Sequence, residues 1–304
     1  MQQIIPAEGV LSIGVAVHGN VAITEECLKS IFASVAGNFE LVLIDDASPD
    51  DVLPLFRDAA EFHPNTRIYR FPENLEYTQS VNCLLNEAQG ERVLFVSNDI
   101  FITPTYVAAL LETMADPAIG IARGTSNFVD NSLATHNVAE QPIGDGWQAL
   151  VEFAAARYAM ENMNTLDDPS LVGDAFMVQR TALATIGGFD TRLRGYMSDI
   201  DFGLRVAGAG FRRVLCPRAY AWHVRDANFN YLSEQEMAEK WQRRNSRVRA
   251  AWDSFCDIWN LDRTPDLWPG LKSVPFPALD DIACRRGCVR MAPVSYARYL
   301  IPPA

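Results

Sequence analysis

Short runs of apolar, mostly β-branched residues alternate along the first 120 residues with segments whose apolar residues recur at helical spacing. The runs have strand length; they are Leu11–Val17, Glu40–Ile44, Thr66–Phe71 and Arg92–Val96. The amphipathic segments predict helices at Ile23–Val35, Val52–Phe62, Thr78–Ala88 and Tyr106–Ala115. This alternation is typical of a mostly parallel sheet covered on both faces, so we predict an α/β fold with a ligand site beyond the carboxyl ends of the strands.

The second half of the chain predicts further elements and one long loop. Residues 123–146 are polar and rich in Gly and Asn, and loops of that length in compact domains are often functional. The later patterns predict helices at Trp147–Met160 and Asp199–Ala207 and strands at Leu171–Val178, Phe211–Cys216 and Ala219–His223. From Ser233 we predict a helix, one face of which holds Met237, Trp241, Arg244, Val248, Trp252, Phe255 and Trp259. The tail, residues 263–304, contains seven prolines and predicts an irregular wrap.

Composition narrows the class of protein. Of the 304 residues, 49% are hydrophobic and 21% are charged, which is typical of a folded domain and excludes a disordered chain. The net charge of −12 makes non-specific binding to nucleic acid unexpected. No segment approaches the roughly 18–20 consecutive apolar residues that span a bilayer, and the first residues lack the pattern of a secretory signal, so we expect a cytoplasmic protein. Cys284 and Cys288 are the one close cysteine pair, and without a nearby His they give little support to a zinc site.

Polar clusters follow the predicted strands. They are Val17-His18-Gly19-Asn20, Asp45-Asp46-Ala47-Ser48-Pro49-Asp50, Ser97-Asn98-Asp99 and Asp199-Ile200-Asp201. One such cluster alone is explained by a turn or a helix cap. Several at one sheet edge bring carboxylates together, and their mutual repulsion calls for cations or hydrogen-bond donors. A divalent metal that bridges phosphates would meet that need, because hard cations prefer oxygen ligands.

The order and spacing of these clusters resemble the inverting glycosyltransferases of family 2, which have the GT-A fold. The resemblance is nearest to the rhamnosyltransferase-like, polysaccharide-building branch and covers roughly residues 10–225. The matches in the second half are Gly173, Arg180, Gly187-Gly188-Phe189-Asp190, Asp199, Asp201, Arg205, Gly210 and His223. The resemblance implies a GT-A domain over residues 1–225, divided into a nucleotide-binding part over about 10–120 and an acceptor and catalytic part over about 121–225. A helical and Pro-rich extension would follow over 226–304.

The resemblance also implies what the site residues bind. A UDP-, dTDP- or GDP-sugar donor would be bound by Val17, Asn20, Asp45, Asp46, Asn74, Asn98 and Asp99. Asp99 would ligate Mn²⁺ or Mg²⁺ at the donor diphosphate, and His223 would be a further metal or diphosphate contact. Asp199 would be the general base that takes the proton from a hydroxyl of a glycan or lipid-linked acceptor.

Several positions depart from the family pattern. His18-Gly19-Asn20 replaces an aromatic–Asn pair, and Ser97-Asn98-Asp99 keeps one carboxylate of the DxD-type metal motif. Glu76 stands where Gly is expected and adds bulk and charge close to the donor site. Ser198 replaces the acidic residue beside the base, which leaves open whether a like charge raises the pKa of Asp199. The reduced metal motif and Glu76 keep a second hypothesis open, a catalytically silent relative that binds a sugar nucleotide or scaffolds a polysaccharide-assembly complex.

Other residues have both a structural and a functional interpretation. Asp201 either pairs with Arg205 one helical turn on or serves as an alternative base. His223 either packs in the core or binds metal. The cations of the last helix form either a solvated face or a contact with anionic lipid or a lipid-diphosphate acceptor; they are Lys240, Arg243, Arg244, Arg247 and Arg249. The remaining histidines have no partners in the sequence and are expected at the surface; they are His18, His63 and His136.

Overall fold

The computed structural model describes residues 2–7, 9–129, 136–138, 146–171, 173–224, 227, 233–263 and 276–302. Its first half alternates strands and helices, and each strand is a run of buried residues. The elements are β1 (Leu11–Val17), α1 (Val21–Ser34), β2 (Glu40–Asp45), α2 (Leu53–Phe62), β3 (Thr66–Arg70), α3 (Glu76–Glu87) and β4 (Arg92–Ser97). The four strands are parallel in the order β3-β2-β1-β4. This half agrees with the sequence prediction to within about two residues at most element ends.

The second half adds antiparallel strands. Its elements are β5 (Ile100–Phe101), α4 (Pro104–Thr113), β6 (Ile119–Ser126), α5 (Trp147–Tyr158), β7 (Leu166–Asp167), β8 (Ala175–Gln179), α6 (Arg180–Ile186), α7 (Ser198–Gly208) and β9 (Arg212–His223). Strand β8 lies antiparallel between β4 and β6, and β9 is parallel to β6. The sheet is therefore mixed where the sequence predicted it mostly parallel, while the α/β class is confirmed.

Two predictions for this half were wrong in detail. The predicted loop 123–146 begins inside β6, because the polar residues Arg123, Thr125 and Ser126 are all buried in the sheet. Most of the rest of that predicted loop, residues 130–135 and 139–145, lies outside the described residues. The two strands predicted around residues 211–223 form one strand, β9, which pairs with β6 on both sides of an irregularity.

The C-terminal residues pack on the same body. Helix α8 (Glu234–Trp259) and helix α9 (Phe276–Arg286) form an apolar cluster with α7 that includes Phe255, Trp259 and Leu279. Strand β10 (Leu300–Ile301) extends the sheet antiparallel to β3. The irregular tail that its prolines predicted therefore contains a helix and a strand. None of the described helices is long and apolar enough to cross a membrane.

Two apolar layers cover the faces of the sheet. One packs α1, α2 and α4 against Ile13, Val15 and neighbouring strand residues, and the other packs α3 and α6 against the opposite face. Gly14 of β1 sets the spacing of α3, because a Cβ there would overlap the side chain of Leu84. The start of α3 is held at the carboxyl edge of the parallel strands, where the candidate site lies, by the Leu75 N–H bond to Asp46.

Candidate active site

Five chain segments meet at the carboxyl edge of the parallel strands. Four are the segments that follow β1, β2, β4 and β9, and the fifth is the start of β8. Because β8 runs antiparallel to β4, its first residues lie beside the last residues of β4, where the Ser97 N–H donates to the Asp174 carbonyl at 2.9 Å. The topology therefore places Asp99, Asp174 and His223 in one neighbourhood, with Asp199 next to them.

Asp99 and His223 form the first pair of the site. His223 Nε2 lies 3.5 Å from Asp99 Oδ2, and Nδ1 lies 3.0 Å from the carbonyl oxygen of Phe128. Pairing of β5 with β9 and the Val224 N–H bond to the Asp99 carbonyl hold the two residues together. Burial lowers the pKa of His223, but the carboxylates of Asp99 and Asp174 outweigh it and raise the pKa to about 9. Without a metal the pair is a histidinium–carboxylate ion pair at neutral pH.

The same pair fits part of a divalent metal site. The Phe128 carbonyl accepts a bond from Nδ1–H, so the lone pair of neutral His223 is on Nε2 and faces Asp99. The described residues contain no group of three or more His, Cys, Asp or Glu side chains that could hold a metal ion. One imidazole and one carboxylate leave most positions of a hard cation to oxygen atoms from elsewhere, such as those of a bound diphosphate.

Asp174 is a site residue that the sequence reasoning missed. Its carboxylate pairs with Arg123 at 2.9 Å, and the Arg123 side chain is only 2% exposed. The second carboxylate oxygen lies 3.8 Å from His223 Nδ1. The sequence placed Asp174 inside a strand predicted at Leu171–Val178, whereas β8 begins only at Ala175 and Asp174 precedes it. The available signal was an acidic residue directly ahead of the apolar run that starts at Ala175.

Asp199 lies at the start of α7, where Met197 has a left-handed backbone with φ of 62°. Its Oδ2 accepts the Gly173 N–H at 2.9 Å, and its Oδ1 accepts the Ile200 N–H at 2.9 Å. Burial raises the pKa of Asp199 to about 6 against the opposing effect of these bonds, and the charge of Asp174 adds to the rise. A carboxylate with this pKa is ionised at neutral pH and can still accept a proton.

Gly173 connects Asp199 to helix α3. The Tyr77 hydroxyl donates to the Gly173 carbonyl at 2.6 Å, while the N–H of the same glycine donates to Asp199. A Cβ on Gly173 would overlap the Tyr77 hydroxyl and come within 3.0 Å of the Asp199 Cβ. The close approach of three elements therefore requires glycine here.

Asp201 has the structural role that the sequence offered as one alternative. Its Oδ2 accepts Arg205 Nε at 2.8 Å, both side chains are 1% exposed, and the Trp259 indole donates to its Oδ1 at 3.1 Å. Arg205 also donates to the carbonyls of Ile186 and Gly188. The predicted Asp201–Arg205 pair is confirmed.

On the predicted nucleotide side, the two aspartates at the end of β2 face different partners. Asp45 Oδ1 accepts the Ser48 N–H at 2.8 Å, and its Oδ2 lies 3.2 Å from Arg70 Nε. Asp46 Oδ1 accepts the Leu75 N–H at 2.6 Å, and burial raises the pKa of Asp46. Asp45 thus holds the turn, and Asp46 ties that turn to the start of α3.

The other predicted donor-site residues also bond within the protein. Asn74 Oδ1 accepts the Glu76 N–H at 2.8 Å, and the Asn20 amide donates to the Ala227 carbonyl at 3.0 Å. The Asn98 amide turns toward α1, where it donates to Thr24 Oγ1 at 2.9 Å. Val17 is 1% exposed, and its carbonyl accepts the Asp46 N–H at 2.8 Å. The roles of these residues toward a donor stay predictions.

The Glu76 side chain forms ion pairs with arginines from two other segments. It has a left-handed backbone with φ of 68° and a side chain that is 17% exposed. Its Oε1 lies 3.5 Å from Arg194 and 3.9 Å from Arg247 of α8. The cationic face of α8 is therefore divided, with Arg247 turned toward the site and Arg243 and Arg249 exposed to solvent.

His136 was wrongly predicted to lie at the surface. It is fully buried and its Nε2 lies 3.0 Å from Asp168 Oδ2. The partner is 32 residues away along the chain, so the sequence near His136 carries no sign of it.

Comparisons with known proteins agree with this architecture. A family model described as glycosyl transferase family 2 matches residues 12–187. An N-acetylglucosaminyl-diphospho-decaprenol L-rhamnosyltransferase of Mycobacterium tuberculosis is 27% identical over 66% of this chain and 71% of its own length. An uncharacterized protein of Sinorhizobium fredii is 23% identical over 81% of the chain. The chain spans only 28% of that protein and less than half of two further curated relatives.

Among solved structures, a mannosyltransferase of Pyrobaculum calidifontis in complex with GDP-Man and Mn²⁺ superposes with a TM-score of 0.57. It is 20% identical, and the match covers 90% of this chain and 73% of the other. This likeness confirms the GT-A type of α/β fold that the sequence predicted.

Proposed function

Because the chain belongs to glycosyl transferase family 2, we propose that it moves a sugar from a nucleotide-diphosphate sugar to a hydroxyl of a glycan or lipid-linked acceptor, with inversion at the sugar carbon. The observation that carries the proposal is the short path between two reactive sites. Gly173 donates to Asp199, and the next residue, Asp174, approaches His223 of the Asp99–His223 pair. The proposed proton acceptor and the proposed diphosphate-binding pair are thus linked through the adjacent residues Gly173 and Asp174.

Asp199 is the proposed general base. An inverting transfer needs a base on the side opposite the leaving group, so that the acceptor oxygen attacks in line with it. With a pKa of about 6, Asp199 is mostly ionised at neutral pH and remains basic enough to take the proton as the hydroxyl attacks. The Gly173 and Ile200 N–H groups fix the plane of its carboxylate, so one lone pair can face the acceptor.

Asp99 and His223 are the proposed ligands on the donor side. They would hold Mn²⁺ or Mg²⁺ together with the phosphates, and the chemistry that the ion supplies when bound is neutralisation of the charge on the leaving diphosphate. The buried Arg123–Asp174 pair beneath them fixes Asp174 next to His223 and keeps the imidazole in place. Asp46, which accepts the Leu75 N–H, and Asn74, the residue before Leu75, are the proposed contacts for the base and ribose of the nucleotide.

The test is release of nucleoside diphosphate from UDP-, dTDP- and GDP-sugars, measured with Mn²⁺ and again with EDTA. We expect Mn²⁺-dependent release from one donor class, which a suitable acceptor accelerates and which the Asp199→Asn variant loses. Binding of a nucleotide sugar without any release in the wild-type protein would contradict the proposal and support the catalytically silent relative, which the reduced Ser97-Asn98-Asp99 motif keeps as the second candidate.

A further inference from the structure

Two arginines approach one carboxylate, Glu76, and a third arginine binds the loop that leads to the proposed base. Arg194 and Arg247 both approach Oε1 of Glu76, and Arg244 donates a hydrogen bond to Tyr196 in the same loop. Among these four side chains the cations outnumber the carboxylate by two, in a chain whose net charge is −12. Like charges held together in this way repel one another unless an anion joins them.

The two ion pairs to Glu76 are loose. At 3.5 and 3.9 Å the nitrogen–oxygen distances exceed those of charge-assisted hydrogen bonds, which are about 2.7–2.9 Å. The Arg194 and Arg247 side chains are 69% and 59% exposed, whereas Glu76 is 17% exposed. Glu76 holds two guanidinium groups near one point without using up their donors, and a guanidinium binds phosphate oxygens through two parallel N–H bonds.

The cluster is connected to the proposed base and lies away from the proposed metal pair, although the Glu76 N–H also bonds to Asn74, a proposed nucleotide contact. The loop that carries Arg194 leads directly into α7 and Asp199, and Gly195 of that loop donates to Thr78 of α3 at 3.0 Å. Tyr77, which follows Glu76, contacts Gly173 on the Asp199 side. The Asp99–His223 pair lies beyond Asp174, on the other side of Gly173.

We infer that Arg194 and Arg247 form a subsite for a phosphate group of the acceptor, with Glu76 as the resting counter-ion that the phosphate displaces. This inference rests on the proposed transferase function and specifies its acceptor as phosphate-bearing. A phosphate carries about −1.5 to −2 charges and three strong acceptor oxygens, which suits two guanidinium groups better than the single charge and two carboxylate oxygens of a uronate. Arg243 and Arg249, on the exposed side of α8, take no part in the subsite.

The test is a titration of the whole protein with ethyl phosphate in EDTA, followed by ³¹P NMR. We expect the double variant Arg194→Gln/Arg247→Gln to bind at least about tenfold more weakly, and the matched Arg243→Gln/Arg249→Gln variant to bind like wild type. Glu76→Gln should bind more tightly, because the competing carboxylate is gone. Equal affinity in the first variant, or a loss in the matched control, would overturn the subsite.

Two further titrations test whether the anion is a phosphate or a carboxylate, and whether it belongs to the acceptor or to the donor. Glucuronate that binds as tightly as ethyl phosphate would overturn the phosphate assignment. Repeating the titration with nucleoside diphosphate and Mn²⁺ present should leave ethyl phosphate bound, and its displacement would mean that the arginines serve the donor. Because the first titration needs neither donor nor metal, its result does not depend on whether nucleotide release is observed.

Discussion

Gly173 and Asp199 are joined by a hydrogen bond of 2.9 Å from the glycine N–H to a carboxylate oxygen, although they lie 26 residues apart. The Tyr77 hydroxyl binds the carbonyl of the same glycine. Burial raises the pKa of Tyr77 well above its usual value, so this hydroxyl stays a donor. One glycine thereby sets the position of the proposed base relative to α3 and β8.

We expect Gly173→Ala to destabilise the protein by about 1–3 kcal/mol, as overpacking of an interior does, and to lower turnover through displacement of Asp199. Urea unfolding and nucleotide release measure the two effects. In a Tyr77→Phe background the alanine methyl no longer meets the hydroxyl, so the added cost of Gly173→Ala should be smaller. An equal cost in both backgrounds would show that the overlap is not the cause.

The pH profile of turnover should report Asp199. Since the base works when ionised, kcat is expected to rise about tenfold per pH unit below the pKa of about 6 and to level off above it. Asp174→Asn removes a like charge and leaves the Arg123 cation behind, so the rising limb should move to lower pH. Asp167→Asn, at an exposed side chain, is the matched control. If the rising part of the profile stays at the same pH or moves to higher pH in Asp174→Asn, the Asp174 charge does not raise the pKa of Asp199.

The same pKa fixes the sign of a stability effect. The folded-state pKa of Asp199 lies above the reference value of 3.8, so the folded protein binds the proton more tightly than the unfolded chain. This group therefore contributes stability at low pH that is lost as the pH rises through about 6.

Asp99→Ala is expected to weaken Mn²⁺-dependent binding of nucleoside diphosphate by roughly 10–100-fold, the range typical of a lost metal-site interaction. Calorimetric titration with Mn²⁺ and with EDTA measures the difference. The neighbouring Asn98→Ala should keep the metal dependence, because its amide turns toward Thr24. If Asp99→Ala binds nucleoside diphosphate and Mn²⁺ as tightly as the wild-type protein, Asp99 is not a metal ligand.

Asp201→Ala should cost about 3–5 kcal/mol of unfolding free energy, because it leaves Arg205 buried without its carboxylate partner. Denaturant titration gives the value. Asp167→Ala, which breaks the exposed pair with Arg212, is expected to cost about 0–1 kcal/mol. Similar losses of unfolding free energy in both variants would show that burial does not make the Asp201–Arg205 pair more important for stability than an exposed pair.

The sequence predicted the parallel half of the fold well because each strand there is an apolar run bounded by polar turns; β1 is observed over the predicted residues Leu11–Val17. Strand β6 was partly missed for a physical reason. Its buried polar residues find partners far along the chain, as Arg123 does with Asp174 and Thr125 with the Ala219 carbonyl. The pattern of hydrophobic and polar residues near β6 does not indicate partners so far away in the sequence.

The candidate site was predictable where it follows parallel strands, as at Asp46 and Asp99, because all such ends share one edge of the sheet. Asp174 and the Arg194 loop depend on the antiparallel placement of β8 and on the docking of α7, which hydrophobic spacing does not encode. In the tail, Phe276, Leu279 and Ala283 do have helical spacing and are buried in α9. That signal was available but was outweighed by the prolines.

The most direct test of the account is the kinetic behaviour of Asp199→Asn. Asparagine keeps the size of the side chain and can still accept the Gly173 bond, but it cannot take a proton. The account predicts nearly unchanged donor affinity with turnover at least ~10²-fold lower. Near-normal turnover in this variant, measured beside its donor affinity, would place the base elsewhere and contradict the central claim.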